Sequence, residues 1–242
     1  LPRLPGGRAA LAALLLFASA GFCGCARTRP SPFAPYDNLL AIAADYQIAR
    51  ATDIYRLDFP RDLTGQNVAR ATLVRLANYE SLNPGRFAPE IEFLKGQAYA
   101  DLGDYESARA GFEQCAGFDS PLRPRAAEAA GVCAEMQALL RPSPESTDPE
   151  AFLADLERRA AELRALAERH RATRWETLAR IETESLEVAR AEFLDACQAF
   201  LPEGESRALR AFEALAADHA GSRRALSHAL RLARFHLDRA RR

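Results

Sequence analysis

Past Tyr36, apolar residues return every three or four positions and nowhere alternate over the length of a strand. A half-buried strand needs a period of two, a half-buried helix one near 3.6. This regularity restricts the chain to helices, and its breakers cut it into pieces of ordinary length. Pro60, Asn83-Pro84-Gly85, Gly103, Pro121, the 141–148 loop, Pro202 with Gly204, and Gly221 are the breakers. They separate helices expected at 37–56, 65–81, 88–102, 104–117, 122–140, 149–171, 173–201, 205–219 and 222–240. Asp148-Pro149 is an N-cap followed by a first-turn proline. The 242 residues are 48% hydrophobic and 27% charged, enough to bury a sizeable core. A net charge of −1 provides no field that would gather nucleic acid.

The first 36 residues obey a different rule. Arg3 and Arg8 precede an apolar run from Ala9 to Ala20, and small residues and two cysteines come next. These are the three regions of a secretory signal peptide, and the run is short for a membrane span. Ala18-Ser19-Ala20 fits ordinary small-x-small cleavage. Phe22-Cys23-Gly24-Cys25 resembles a bacterial lipobox, with Phe22 where leucine is usual. There Cys25, preceded by Gly24, is the better lipid acceptor; an uncleaved anchor is the third reading. Residues 1–25 are thus read as the leader and 26–36, "ARTRPSPFAPY", as an extended tether kept from helix by proline. By resemblance to lipoproteins of Gram-negative bacteria, Ala26 after the acceptor implies outer-membrane sorting.

"FLKGQAYADLGDYESARAGFEQC", Phe93 to Cys115, resembles a tetratricopeptide repeat, a helix–turn–helix unit of about 34 residues. Gly96 is small where two helices approach, and Tyr99 fills the space beside it. Gly103 ends the first helix and Asp104 caps the second. Ala108 is small at the crossing, and Phe112 is the large knob one turn on. One hundred residues later Phe193, Leu194, Ala208, Phe212 and Glu213 repeat Phe93, Leu94, Ala108, Phe112 and Glu113. The resemblance implies an all-α, right-handed solenoid of antiparallel hairpins, with hairpins over 37–140, a loop at 141–148 and a second helical region over 149–242. In that family the first helix of each hairpin lines a concave groove, which makes Phe93, Gln97, Asp101 and Arg123 the expected partner-binding residues.

Other residue types carry weaker signals. Cys115 and Cys133 fall on neighbouring helices, either as a disulfide in an oxidising compartment or as two buried thiols packing as small hydrophobes. Cys197 reads as core. The four histidines read as surface or capping groups. No H-E-x-x-H, no CxxC, no zinc spacing, no G-x-S-x-G elbow and no phosphate-binding glycine loop occurs, so no metal, cofactor or small-molecule substrate is expected. Asp155/Arg159, Arg158/Glu162, Glu176/Arg180 and Arg180/Glu184 are spaced i,i+4 as on a solvated face. Leu153, Leu156, Ala160, Leu163 and Ala167 form a seam for a neighbouring helix. Trp175, the only tryptophan, is either core or a groove anchor. The basic C-terminal "RLARFHLDRARR" reads as the solvated end of a capping helix or as a membrane-binding face.

The function expected is that of a non-enzymatic scaffold on the periplasmic side of a bacterial envelope. It would hold a protein or peptide partner in outer-membrane or cell-wall assembly. A helical cell-wall hydrolase and a cytoplasmic repeat adaptor are the alternatives. A hydrolase would need two carboxylates facing one cleft, about 5–10 Å apart.

Overall fold

The computed structural model describes residues 35–52, 68–141 and 148–241. Among them every regular element is an α-helix: α1 (Pro35–Thr52), α2 (Val68–Leu82), α3 (Ala88–Asp101), α4 (Tyr105–Gly117), α5 (Arg123–Leu140), α6 (Pro149–Arg169), α7 (Arg174–Ala196), α8 (Gly204–Asp218) and α9 (Ala225–Ala240). The protein is all-α. Contacts divide the chain into Leu1–Leu40 and Ala41–Arg242. Only the opening of α1 is described in the first unit, and all other described residues belong to the second. Cys25, its lipobox and most of the tether lie outside the described residues, as do 53–67 and 142–147.

The helices begin where local chemistry supplies partners for free backbone donors. Asp104 accepts from Ser107 N at 3.0 Å, Asp148 from Glu150 N at 3.0 Å, and Thr173 from Trp175 N at 3.2 Å. Prolines stand in the first turns of α3, α5 and α6. α3 closes on Gly103 at φ +76°, which lets Asp104 N reach back to Tyr99 O at 3.0 Å. With only three residues between them, α3 and α4 must turn back on each other.

Two glycines set how close that pair comes. A Cβ on Gly96 would lie 2.8 Å from two carbons of the Phe112 ring. One on Gly111, which sequence reasoning passed over, would lie 3.2 Å from Glu92 O and from Gly96 N. Phe112 therefore lies against bare backbone, Ala108 is fully buried beside it, and Phe93 meets the same ring edge-on at 5.4 Å. Tyr99 packs partly buried at the margin.

The core continues through Ala126, Cys133 and Met136 of α5 and Leu156, Leu163 and Leu166 of α6 into α7. All five residues of the expected α6 seam are buried. Trp175 is core: it is buried and edge-on to Phe112 at 6.1 Å. A second cluster joins Leu153, Leu194, Ala208, Phe212 and Leu215 to Phe235 of α9. Phe212 and Phe235 meet tilted, ring centres 5.5 Å apart.

The hundred-residue echo is visible in burial. Leu194, Ala208 and Phe212 are buried like Leu94, Ala108 and Phe112, and Glu203 is left-handed (φ +50°) like Gly103. The turn differs. The helix expected over 173–201 stops at Ala196, where Cys197 N caps onto Phe193 O at 2.9 Å. The chain then folds so tightly that a Cβ on Gly204 would fall 2.3 Å from Gln198 O. The chain leaves the helix before Pro202, which only forbids its continuation.

The crossing yields a paired expectation. Gly96→Ala forces Phe112 aside, and overpacking outweighs the gain in helix propensity, for a net loss of about 1–2 kcal/mol. Gly131 lies in α5 with open space around its Cα. Gly131→Ala gains about 0.5–1 kcal/mol. Urea melts of the two variants should move in opposite directions.

Candidate functional site

The four residues expected to line a groove do not line one together. Phe93 is buried under Phe112, with the Arg125 guanidinium 5.5 Å over its ring. Arg123 is half exposed, donating to Phe118 O and pairing with Asp119. Gln97 and Asp101 do come together, but beneath other side chains. Asp101 receives the Tyr46 hydroxyl at 2.5 Å, Arg50 Nε at 2.9 Å and Arg174 Nη2 at 2.7 Å. Arg174 also donates to Gln97 O, and the Gln97 amide binds Gln47. The Asp101 side chain is 7% exposed, Arg174 13% and Arg50 19%. This knot fastens α1 and the start of α7 to the end of α3, so α7 occupies the face where a partner was expected. Burial, reinforced by Asp101, raises the Tyr46 pKa and keeps that hydroxyl a donor.

A second buried carboxyl lies further along α7. Tyr105 donates to Glu182 at 2.9 Å. Burial raises the Glu182 pKa, and the tyrosine hydrogen bond only partly opposes it. The Tyr105 pKa is raised by burial and then by Glu182.

The third polar cluster corrects the reading of one histidine, His228; His170 and His219 are helix C-caps and His236 is exposed, as expected. His228 is fully buried, its Nε2 2.5 Å from Glu184 Oε1. Ser222 Oγ donates to the same oxygen at 2.7 Å. His219, at the end of α8, contacts Glu187 at 2.5 Å and faces the His228 ring at 5.7 Å. Serine and histidine both address the carboxylate, so the serine proton is committed to Glu184 and no serine–histidine relay forms. Glu184 is thereby withdrawn from the solvated face on which it was expected to meet Arg180. Arg180 pairs with Glu176 at 2.8 Å, and the other two i,i+4 pairs form. Arg159 is itself buried, and its Nη1 donates to Arg141 O at 3.0 Å at the end of α5.

One open concavity lies elsewhere. A cleft of about 410 Å³ runs between α6, α7 and α8. Buried Leu156, Ala160, Leu186, Ala211 and Leu215 form its floor, and Ala214 stands exposed on one wall. Its rim is ionic: Glu157 pairs with Arg190 at 2.6 Å, Arg164 pairs with Glu187, and Asp218 closes one end. Apolar floor and paired rim suit an amphipathic segment better than a charged small molecule. Among the described residues no group of three or more side chains is arranged to hold a metal, and no helix is long and apolar enough to cross a membrane.

Cys115 and Cys133 are free thiols in the fully buried core, so the disulfide read as one possibility for them is not formed. Burial pushes Cys133 up to about 12 and raises Cys115 as well, leaving little thiolate for oxidation. Cys197 is also free and half-buried. No family model matches the chain, and no curated protein or solved structure matches it.

Two substitutions probe these charges. Asp101→Asn removes the carboxylate that the largely buried Arg174 and Arg50 guanidiniums share. It should cost about 2–3 kcal/mol by chemical denaturation, less than for a dry pair because the arginines keep some water. Glu182→Gln should act oppositely. A raised folded pKa means Glu182's contribution is full below its unfolded pKa and lost as pH rises through the folded value. The glutamine variant should therefore be the more stable at pH 7. Its advantage should vanish below the ordinary carboxylate range, a trend read from melts across pH 3–8.

Proposed function

We propose that the protein is an interaction scaffold of tetratricopeptide-like hairpins, held by lipid on Cys25 at the periplasmic side of a bacterial outer membrane. The cleft between α6, α7 and α8 receives a helix or extended segment of an envelope protein engaged in outer-membrane or cell-wall assembly. The cleft carries this reading: it is open, floored by apolar side chains on three helices, and four of its rim charges pair with one another, Glu157 with Arg190 and Arg164 with Glu187. The α3–α4 hairpin supports the repeat assignment through its Gly96–Gly111 crossing, its left-handed Gly103 and its burial echo a hundred residues on. One feature departs from a regular solenoid, in which each repeat touches only its neighbours. Arg174, Trp175 and Glu182 of α7 reach back to α3 and α4. That contact fills the usual groove and leaves the cleft between α6, α7 and α8 as the docking face.

In-cell cross-linking followed by purification from solubilised envelope tests the reading. Ala214→Trp fills the cleft from an exposed wall and should abolish recovery of the partner without changing the thermal melt. Cys25→Ala should release the protein from the membrane fraction and weaken the same cross-link. Undiminished recovery with Ala214→Trp would remove the cleft as the docking face. Unchanged membrane association of Cys25→Ala would remove the lipid tether.

A further inference from the structure

α9 carries two apolar faces, and only one of them is used. His228, Leu232 and Phe235 turn inward, onto Glu184, Ser222 and Phe212. On the opposite side lie Leu226, Leu230, Ala233, Leu237 and Ala240, spaced 4-3-4-3. At about 100° per residue these five fall within an arc of roughly 80°, diametrically away from Phe235, over about 21 Å of helix. Leu226 is 73% exposed, Leu230 61% and Leu237 58%, and both alanines are exposed. Single exposed leucines are ordinary; a continuous seam of them is not.

The chain itself indicates what fits such a seam. Leu153, Leu156, Ala160, Leu163 and Ala167 of α6 have the same alternation of three and four, and in the fold they are buried among helices. A stripe this narrow, of leucine and alanine at a mean spacing of 3.5, is a surface for another helix. The interfacial helix of a membrane-binding protein presents a broader apolar face with a strong hydrophobic payload. The charges beside the seam then select the helix. In heptad terms the flanking positions hold Ser227, Arg234 and Arg241 on one side and Ala229 and His236 on the other. Arg234 and Arg241 are 85% and 78% exposed and share Asp238 at 3.7 and 4.0 Å, with no acid among the flanking positions themselves. A second copy laid along this seam, in either direction, would set arginine against arginine, histidine, serine or alanine and form no attractive flanking pair.

We propose that the outer face of α9 docks a partner α-helix with a leucine-type heptad seam and acidic flanking residues. The surface is separate from the cleft between α6, α7 and α8, so either can fail without the other.

The test uses the whole chain and two synthetic helices of identical leucine seam, one with glutamate and one with lysine at all flanking positions. Binding is followed by fluorescence anisotropy in low and in physiological salt. The glutamate helix should bind at least tenfold more tightly than the lysine helix, with the difference shrinking as salt rises. Leu230→Asp with Leu237→Asp, at exposed sites, should abolish binding while leaving the thermal melt in place. Arg234→Glu with Arg241→Glu should invert the preference toward the lysine helix, an effect that misfolding could not produce. Equal binding of the two helices, or binding of neither, overturns the proposal. So does sedimentation showing that the chain dimerises through these leucines, which would make a second copy the occupant. Flotation with phosphatidylserine-containing vesicles, lost in the leucine variant, overturns it in favour of a membrane surface.

Discussion

Phe112 lies where three helices meet, against a stretch of α3 that has no side chain at Gly96. Its ring touches that backbone, stands edge-on to Phe93 and edge-on again to Trp175. Burying such a ring contributes about 2–3 kcal/mol, and each edge-on aromatic pair about 0.5–1.5 kcal/mol more. Much else depends on that position. With Trp175 held there, the first turn of α7 must cross the end of α3, and Arg174 arrives over Gln97 and Asp101. α6, packed antiparallel on α7, is then brought into the same core. The ion pairs that bridge α6 and α7, such as Glu157 with Arg190, are partly exposed and worth only tenths of a kcal/mol each. They adapt to an arrangement that the aromatic junction and the leucine seam establish.

Helix positions were legible in the sequence because they depend on local chemistry: apolar spacing, caps, and prolines or glycines at the ends. The α6 seam, the Gly103 turn and the small residue at 108 could be read for the same reason. The end of α7 could not. Nothing in "LDACQAFLPEG" announces a stop at Ala196, which depends on how the chain packs against Gly204. The covering of the expected groove residues was hidden for a related reason. Phe93, Gln97 and Asp101 share a helix face that sequence spacing marks correctly, but whether that face is open depends on a contact made from residue 174. Such a contact, more than seventy positions away, leaves no periodic trace. His228 shows the same limit. An imidazole in a basic helix reads as solvated until its carboxylate, forty-four residues earlier, is found facing it.

Buried charge marks how the two ends of the described chain differ. At Asp101 one carboxylate is shared by two arginines and a tyrosine, so removing it takes an ion-pair partner from both guanidiniums, and the cluster fastens α1 and α7 to α3. At Glu182 a lone carboxyl with a tyrosine partner carries a raised pKa, so its charge opposes folding at neutral pH. At Glu184 histidine and serine converge on one oxygen and fasten α9 to α7. Three carboxylates thus address three interfaces of this one region, and two of them lie two residues apart on α7. That helix makes contacts on nearly every side: Trp175 and Glu182 toward α3 and α4, Leu186 toward the cleft, Glu184 toward α9. A helix so fully engaged keeps one open face, the side of Leu186, Glu187 and Arg190 that lines the cleft with α6 and α8.

α9 is the converse. Its inner face is fixed by a fully buried histidine and a phenylalanine packed on Phe212, contacts specific enough to set the rotation of the helix about its axis. Once that rotation is fixed, Leu226, Leu230 and Leu237 have no choice but to face outward. The seam is therefore not a residue of poor packing that a small roll could hide, because any roll that buried it would break the His228–Glu184 contact and separate Phe235 from Phe212. A helix whose two apolar stripes are half a turn apart can satisfy both only when it lies between two neighbours. The fold supplies one of them, and the arginines beside the outer stripe, with no acid at the flanking positions, set the chemistry of the other.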